Sequence, residues 1–409
     1  MLSSRFKHLT GAISFLSPLL LSFQGSAQLP ATPPCHIVVL IEENYAYTQI
    51  IGSSAAAYAP YLNALCSSPN AAVFTQSFAI EHPSEPNYLD FYSGQNQGTT
   101  GSDGIPTGYP FTTPNLGAEL LSASKTFVTY SEDLPSPGYD GGTYTVGGAN
   151  YARKHNPCAN WVGTGTNQYS GTVVNLPMVN YFPDSANYDA LPTVSYLVPN
   201  MTNDMHDGTY PTNITVGDTW FHNHLDSFLN WALANNTLLI ITFDEDDDLH
   251  NNNIPTIFYG PMVQGGTYSQ QITHYSVLRT IEQMYGLGYA GASADSSAIT
   301  FCWNAAFSDT ACARPAGNTG ISKVANDASF IVSPNPASGF VDFTGTCAPG
   351  TQSTITITDE LGRQTGKYTI TGAQFRVSTA DYVQGIYFYK VTGDNNKLVS
   401  QGKFIINHN

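Results

Sequence analysis

Four stretches of the chain are continuously apolar for five or six residues and then turn abruptly polar. His36–Ile41 runs into Glu42, Glu43 and Asn44. Thr126–Tyr130 runs into Ser131, Glu132 and Asp133. Val194–Val198 runs into Pro199 and Asn200, then Asn203, Asp204, Met205, His206 and Asp207. Leu238–Phe243 runs into Asp244, Glu245, Asp246, Asp247 and Asp248. Uninterrupted apolar runs of this length predict strands buried on both faces of a parallel sheet. Amphipathic segments with helical spacing lie between and after them: Asn87–Tyr92, Thr219–Ala234, and a helix opening at His274 with Val277, Leu278, Ile281 and Met284 on its apolar face. This alternation predicts an α/β fold with a mostly parallel sheet. Polar clusters that follow buried strands gather at the carboxyl edge, where such sheets bind ligands.

The pattern changes near Arg314–Asn318. After Ser329 the chain reads as short strands separated by turns, which predicts a small β-sandwich. At the other end Arg5, Lys7 and His8 precede an apolar run from Leu9 to Phe23 and the small residues Gly25, Ser26 and Ala27. This is the layout of a secretory signal peptide, cleaved after Ala27. No later stretch is long and apolar enough to cross a bilayer. The expected division is a signal peptide over 1–27, a catalytic domain over 28–315, a linker over 316–328 and the sandwich over 329–409.

Composition narrows the function. Among 409 residues, 14 are Lys or Arg and 30 are Asp or Glu, a formal net charge of −16. This argues against nucleic acid as a partner and against docking on anionic lipid through a basic patch. Phosphate esters remain accessible to so acidic a chain where metal ions carry local positive charge. Six cysteines in an exported chain predict disulfides, with Cys302–Cys312 first and Cys35–Cys66 second.

Carboxylates gathered at one edge repel each other without a cation, so their convergence predicts a hard metal ion. Asp244, Asp246 and Asp248 fit the first positions of a calcium loop, but Leu249 stands where Gly is needed and Pro255 where Glu is needed, so that reading fails. The segment HPSEPNYLDFYSG, His82–Gly94, sets Ser84 just before Glu85 and Pro86 at a helix start. Free N–H donors and the helix dipole there favour an alkoxide and a bound phosphate; a plain capping serine is the alternative. His155 and His206 fall in polar loops. His274 is either a ligand or a helix cap. His222 and His224 are two apart on a helix, do not face each other, and read as structural. His36 opens the first strand.

Taken together these segments resemble the phosphoesterase family of acid phosphatases and phospholipases C, within the alkaline-phosphatase-like superfamily. The matching stretches are VVLIEENYAY, HPSEPNYLDFYSG, YARKHNPC, PNMTNDMHDG, GDTWF, LIITFDEDDD with NNIPTIFYGP, and HYSVLRTIEQMYG, spanning nearly all of Val38–Gly286. HPSEPNY is also similar to the nucleophile segment of nucleotide pyrophosphatases in that superfamily, with Ser84 where their threonine stands. The last 80 or so residues resemble the C-terminal sorting domain of type IX secretion, through SPNP at Ser333–Pro336, DELGR at Asp359–Arg363, GIYFYKV at Gly385–Val391 and KFIIN near the end.

The resemblance implies an alkaline-phosphatase-like α/β/α sandwich followed by the small β-sandwich. It implies Glu43, Asn44, Asp244 and Glu245 as ligands of a divalent metal ion and Ser84 as nucleophile. His155 and His206 would bind phosphate or transfer protons, and Asp204, Asp207 and His274 are candidates for a second metal or for phosphate contacts. The implied activity is a secreted metal-dependent phosphomonoesterase of acid phosphatase type. A phosphodiesterase, phospholipase C or phosphoinositide phosphatase with the same site is the alternative. The chain reads ENYAYT where the phospholipases C read ENRSFD, and it lacks their large extra segments; both features favour a compact phosphatase. The implied partners are a small phosphate ester and the type IX secretion machinery, with export across the outer membrane.

Overall fold

The structure, a computed structural model, describes residues 28–308 except 53, 101–104 and 162–173, and residues 330–408 except 334, 336, 346–352, 360–362, 371–373 and 394–397. The expected signal peptide and linker, and Cys312 and Cys347, lie outside the described residues. Contacts divide the chain into two units, Met1–Ala313 and Arg314–Asn409.

An eight-stranded sheet organises the first unit. Its strands are β1 (His36–Glu42), β2 (Ala71–Phe74), β3 (Phe127–Ser131), β4 (Asn175–Pro177), β5 (Val194–Val198), β6 (Thr237–Phe243), β7 (Thr256–Tyr259) and β8 (Gly266–Tyr268), in the order β8-β2-β7-β6-β1-β5-β3-β4. The four apolar runs are therefore adjacent at the centre, as β6, β1, β5 and β3, and they are mutually parallel. Only β7 runs against its neighbours, β6 and β2. All seven residues of β6 and all five of β5 are buried, which is why neither shows an alternating pattern.

Six helices cover the sheet: α1 (Tyr47–Ile50), α2 (Pro60–Cys66), α3 (Ser84–Ser93), α4 (Leu116–Ser122), α5 (Thr212–Ala234) and α6 (His274–Tyr285). Successive side chains of a strand point to opposite faces. Ile37, Val39 and Ile41 pack with apolar residues of α3, α4 and α6. Val38 and Leu40 pack with those of α2 and α5. The result is three layers, α/β/α. Two helices are longer than their periodicity predicts. Helix α5 starts at Thr212, and α3 runs from Ser84 to Ser93 with all ten residues buried. A helix covered on every side has no polar face, so its spacing is faint in the sequence.

The second unit has a three-stranded sheet (Phe330–Ser333, Phe340–Gly345, Gln374–Ser378) and a four-stranded sheet (Gln364–Ile370, Ser353–Asp359, Gly385–Thr392, Leu398–Ile406), both antiparallel. Val341, Phe343, Ile355, Ile357, Tyr387, Tyr389 and Phe404 form its own core. The alternation of buried and outward residues along Ser353–Asp359 is that of a β-sandwich.

Neither expected disulfide forms. Cys66 and Cys302 are free thiols, as is Cys158. Cys302 is buried in the apolar layer of α3 and α6, and Cys66 packs against the layer on the opposite face. Burial raises the Cys66 thiol to about 12. Both behave as small apolar side chains.

Two stability predictions follow from the packing around α3 and α6. Gly94 ends α3 in a left-handed conformation (φ 67°), and a Cβ there would collide with the Ala290 carbonyl. Gly94→Ala is expected to destabilise the protein by more than about 1 kcal/mol, seen as a lower calorimetric midpoint. Glu282 is buried and accepts hydrogen bonds from Ala290 N–H (2.8 Å) and Ser293 Oγ (2.6 Å). Burial raises its carboxyl from 4.5 to about 7. A raised acid favours the protonated fold, so its contribution is full below about 4.5 and is lost as pH rises through about 7. Glu282→Gln accepts the Ala290 N–H with its amide oxygen and donates its N–H to Ser293 Oγ, without the charge. Denaturant melts across this range are therefore expected to show less loss of stability in the variant than in the wild type.

Candidate active site

The parallel register of β1 and β6 brings two polar clusters side by side. Glu42 pairs with Phe243 across the ladder, so Glu43 and Asn44 emerge beside Asp244 and Glu245. Backbone bonds fix the junction: Asp244 N–H donates to Glu42 O (3.0 Å) and Glu43 N–H to Asp204 O (2.9 Å). Asn44 turns left-handed (φ 58°), and its N–H donates to Asp244 Oδ1 (3.1 Å).

Ser84 lies against these carboxylates. It is the first residue of α3, and Pro83 occupies the cap position without a side-chain cap. Ser84 is thus not a capping serine. Its Oγ is buried 3.1 Å from both Glu43 Oε2 and Glu245 Oε1. One hydroxyl proton serves only one of these acceptors at a time, and the positive end of the α3 dipole lies at this residue.

His155 arrives from an unforeseen element, a hairpin (Thr143–Val146, Ala149–Ala152) that ends in the turn Arg153–His155. It is buried between two acids, with Nδ1 3.0 Å from Asp204 Oδ2 and Nε2 2.9 Å from Glu43 Oε1. Its ring stacks on Tyr88, with centroids 5.2 Å apart. Burial alone would lower the imidazole pKa, but Glu43 and Asp204 outweigh it and raise it to about 10. Burial likewise pushes Glu43 up, and His155 overrides it, holding that carboxyl down at about 2. Tyr88 Oη also donates to Glu43 Oε1 (2.7 Å). His206 is partly exposed, with Nδ1 3.0 Å from Asp207 Oδ1 and Nε2 3.4 Å from Lys154 Nζ. Glu43, His155 and His206 offer ligand atoms within 4.8 Å of one another.

Sequence reading missed His82, Tyr88 and Lys154. His82 Nδ1 is 2.8 Å from Glu245 Oε2 and its Nε2 is 3.3 Å from Asp246 Oδ1. The signal was present, since His82 opens the HPSEPNY segment. Asp246 itself accepts the N–H groups of Asp248, His250 and Asn252 and so shapes its loop.

Other expected residues take supporting places. His274 is buried, its Nε2 2.9 Å from Phe243 O and its ring stacked on Phe91. Burial lowers its pKa to about 4. It braces the end of β6 and does not join the cluster. Asp204 and Asp207 each lie against a histidine, His155 and His206, and the three are not brought together as one group among the described residues. The cluster after β3 is also structural: Glu132 accepts Asn200 N–H, the Asn203 amide and Trp220 Nε1. His222 and His224 stack on Tyr61 and Trp220 along α5, and His36 Nδ1 lies 3.0 Å from Pro192 O.

The donor set fits a divalent cation. Asp244 Oδ2 is buried without a hydrogen-bond partner. Burial and then Glu43 push the Asp244 carboxyl well up and raise Glu245 to about 7. Hard oxygen ligands in such a congested group are what a hard cation requires. Beside them opens a cleft of about 460 Å³ that includes Asn44, Tyr45, His206, Tyr210 and Glu245 in its walls.

The charge pairing can be checked directly. Asp204→Asn is expected to lower the His155 pKa from about 10 in the metal-free protein, because one of the two acids that raise it is gone. Histidine NMR titration reads this shift.

The Phosphoesterase family pattern matches residues 55–288, and the Secretion system C-terminal sorting domain matches residues 332–407. A phosphatidylinositol-3-phosphatase of Mycobacterium tuberculosis is 43% identical over 66% of this chain and 82% of its own. A phosphate-repressible acid phosphatase of Penicillium chrysogenum is 31% identical over 54% of this chain and 53% of its own. An acid phosphatase of Aspergillus fumigatus is 32% identical over 54% and 49%. The chain thus spans about half the length of these fungal relatives. A solved protein of the alkaline phosphatase superfamily from Vibrio parahaemolyticus aligns over 79% of this chain and 76% of its own, at TM-score 0.44 and 12% identity. The chain belongs to the phosphoesterase family, as a phosphoric ester hydrolase that ends in a secretion system sorting domain.

Proposed function

We propose that this protein is a secreted, metal-dependent phosphomonoesterase with Ser84 as its nucleophile. The observation that carries the reading is the position of Ser84 Oγ, 3.1 Å from the Glu43 and Glu245 carboxylates at the buried start of a helix. Glu43, Asn44, Asp244 and Glu245 would hold a divalent cation, which would lower the pKa of the serine hydroxyl and offset the charge of the phosphate. Ser84 Oγ then passes its proton to the Glu245 carboxylate it already bonds, attacks phosphorus as the ester P–O bond breaks, and forms a phosphoserine. N–H groups at the start of α3 face the phosphoryl oxygens. His155 stays protonated between Glu43 and Asp204 and adds positive charge behind them. His206, exposed to the cleft, delivers a proton to the departing alcohol. Water next cleaves the phosphoserine and releases phosphate.

A phosphoinositide is the second substrate reading. It rests on the 43% identity to the phosphatidylinositol-3-phosphatase. Export through the type IX machinery to the cell surface or beyond is inferred from the sorting-domain match. No helix among the described residues is long and apolar enough to cross a membrane.

Ser84→Ala is expected to lower kcat on p-nitrophenyl phosphate by at least about a thousandfold with an unchanged melting temperature. A merely structural serine would instead shift stability and leave the rate of the folded fraction intact. EDTA is expected to abolish turnover and a divalent cation to restore it. Acid quenching during turnover should trap phosphate on the peptide that contains Ser84. Full activity of Ser84→Ala, or of the chelated protein, refutes the reading.

A further inference from the structure

The cleft is lined by polar and acidic groups, Asn44, Gln49, His206, Glu245 and Asp246–Asp248, together with Tyr45, Met205 and Tyr210. Tyr210 is 57% exposed. It stands on the segment between the His206 loop and helix α5. Two other rings pack beside its own: Tyr45 at 6.1 Å, tilted, and Tyr58 at 6.1 Å, edge-on. Tyr45 is itself buried and anchored, its Oη donating to Asn213 Oδ1 (2.8 Å). Asn213 in turn donates to Met205 O (2.6 Å), which ties these rings to the loop that carries His206. An aromatic ring in the cleft wall that is braced by two others and still exposed offers a stacking face.

We propose that Tyr210 is a specificity-determining residue, whose exposed ring packs against a flat ring in the leaving alcohol of the substrate. The proposal rests on the phosphomonoesterase reading and names the substrate class of that site. The chemistry recognised is a ring face, either an aryl ring or the C–H face of a cyclic polyol, with the scissile phosphate directed to Ser84. Open-chain alcohols have no such face and gain nothing from this ring. Tyr210 touches the part of the substrate that does not react, so its effect falls on binding in the ground and transition states alike.

The test compares phenyl phosphate, myo-inositol 1-phosphate and glycerol 2-phosphate in the wild type, Tyr210→Phe, Tyr210→Ala and Tyr210→Leu. Losing one aromatic partner is expected to raise KM for the ring substrates by about three- to tenfold in Tyr210→Ala and Tyr210→Leu. Their kcat should be nearly unchanged. KM for glycerol 2-phosphate should change by less than about twofold, which also reports intact folding, and Tyr210→Phe should match the wild type. A rise confined to phenyl phosphate assigns the aryl source, and one confined to the inositol ester assigns the polyol source. Equal changes for all three substrates, or none, overturn the role of Tyr210 and leave the phosphomonoesterase reading standing. Absence of wild-type turnover on every monoester overturns that reading itself.

Discussion

Crowding of like charge at the ends of β1 and β6 is the constraint on which the catalytic unit depends. Glu42, Glu43, Asp204, Asp244 and Glu245 are all buried there. An isolated carboxylate taken from water into such surroundings is strongly unfavourable, so each must be neutralised, paired or shared with a cation. The five acids divide among these solutions. Burial pushes Glu42 far up, towards its neutral form. Glu43 stays ionised because His155 lies against it. Asp244 and Glu245 are raised and face the serine side. The congestion reaches Ser84 directly, since its hydroxyl lies 3.1 Å from both the paired Glu43 and the raised Glu245.

That arrangement needs two independent supports. One is the sheet, whose parallel ladder sets Asp244 opposite the Glu42–Asn44 turn through the Asp244 N–H to Glu42 O bond and the Asn44 N–H to Asp244 Oδ1 bond. The other is α3, packed on all sides and closed by Gly94. His274 and Tyr88 connect them. The first holds the carbonyl of Phe243 at the strand end, and the second reaches from α3 to Glu43. Through these contacts both residues set the separation between Ser84 and the carboxylates.

Legibility in the sequence followed the strength of the local signal. The four central strands could be read because burial on both faces leaves long apolar runs, and their polar ends told where the site would be. Ser84 lies against Glu43 and Glu245, and the Asn44 N–H meets Asp244, while the Glu43 ligand atoms group with His155 and His206. His274 was ambiguous because a buried histidine that braces a carbonyl and a ligand histidine look alike before packing is known. Tyr88 was hidden inside a helix with no polar face, and Lys154 within a hairpin that periodicity does not reveal. The two expected pairings failed because cysteine count speaks of compartment, while spacing along the chain does not say which thiols meet. Cys66 and Cys302 stay free, whereas Cys35 is disulfide-bonded.

The complete burial of α3 also divides the molecule by its tolerance of substitution. A larger side chain anywhere along Ser84–Ser93 meets packed neighbours. The cleft segments around Met205–Tyr210 and Asp246–Asp248 include exposed positions and carry no comparable burden. Replacements are therefore absorbed more readily in the cleft wall than along the helix that carries Ser84.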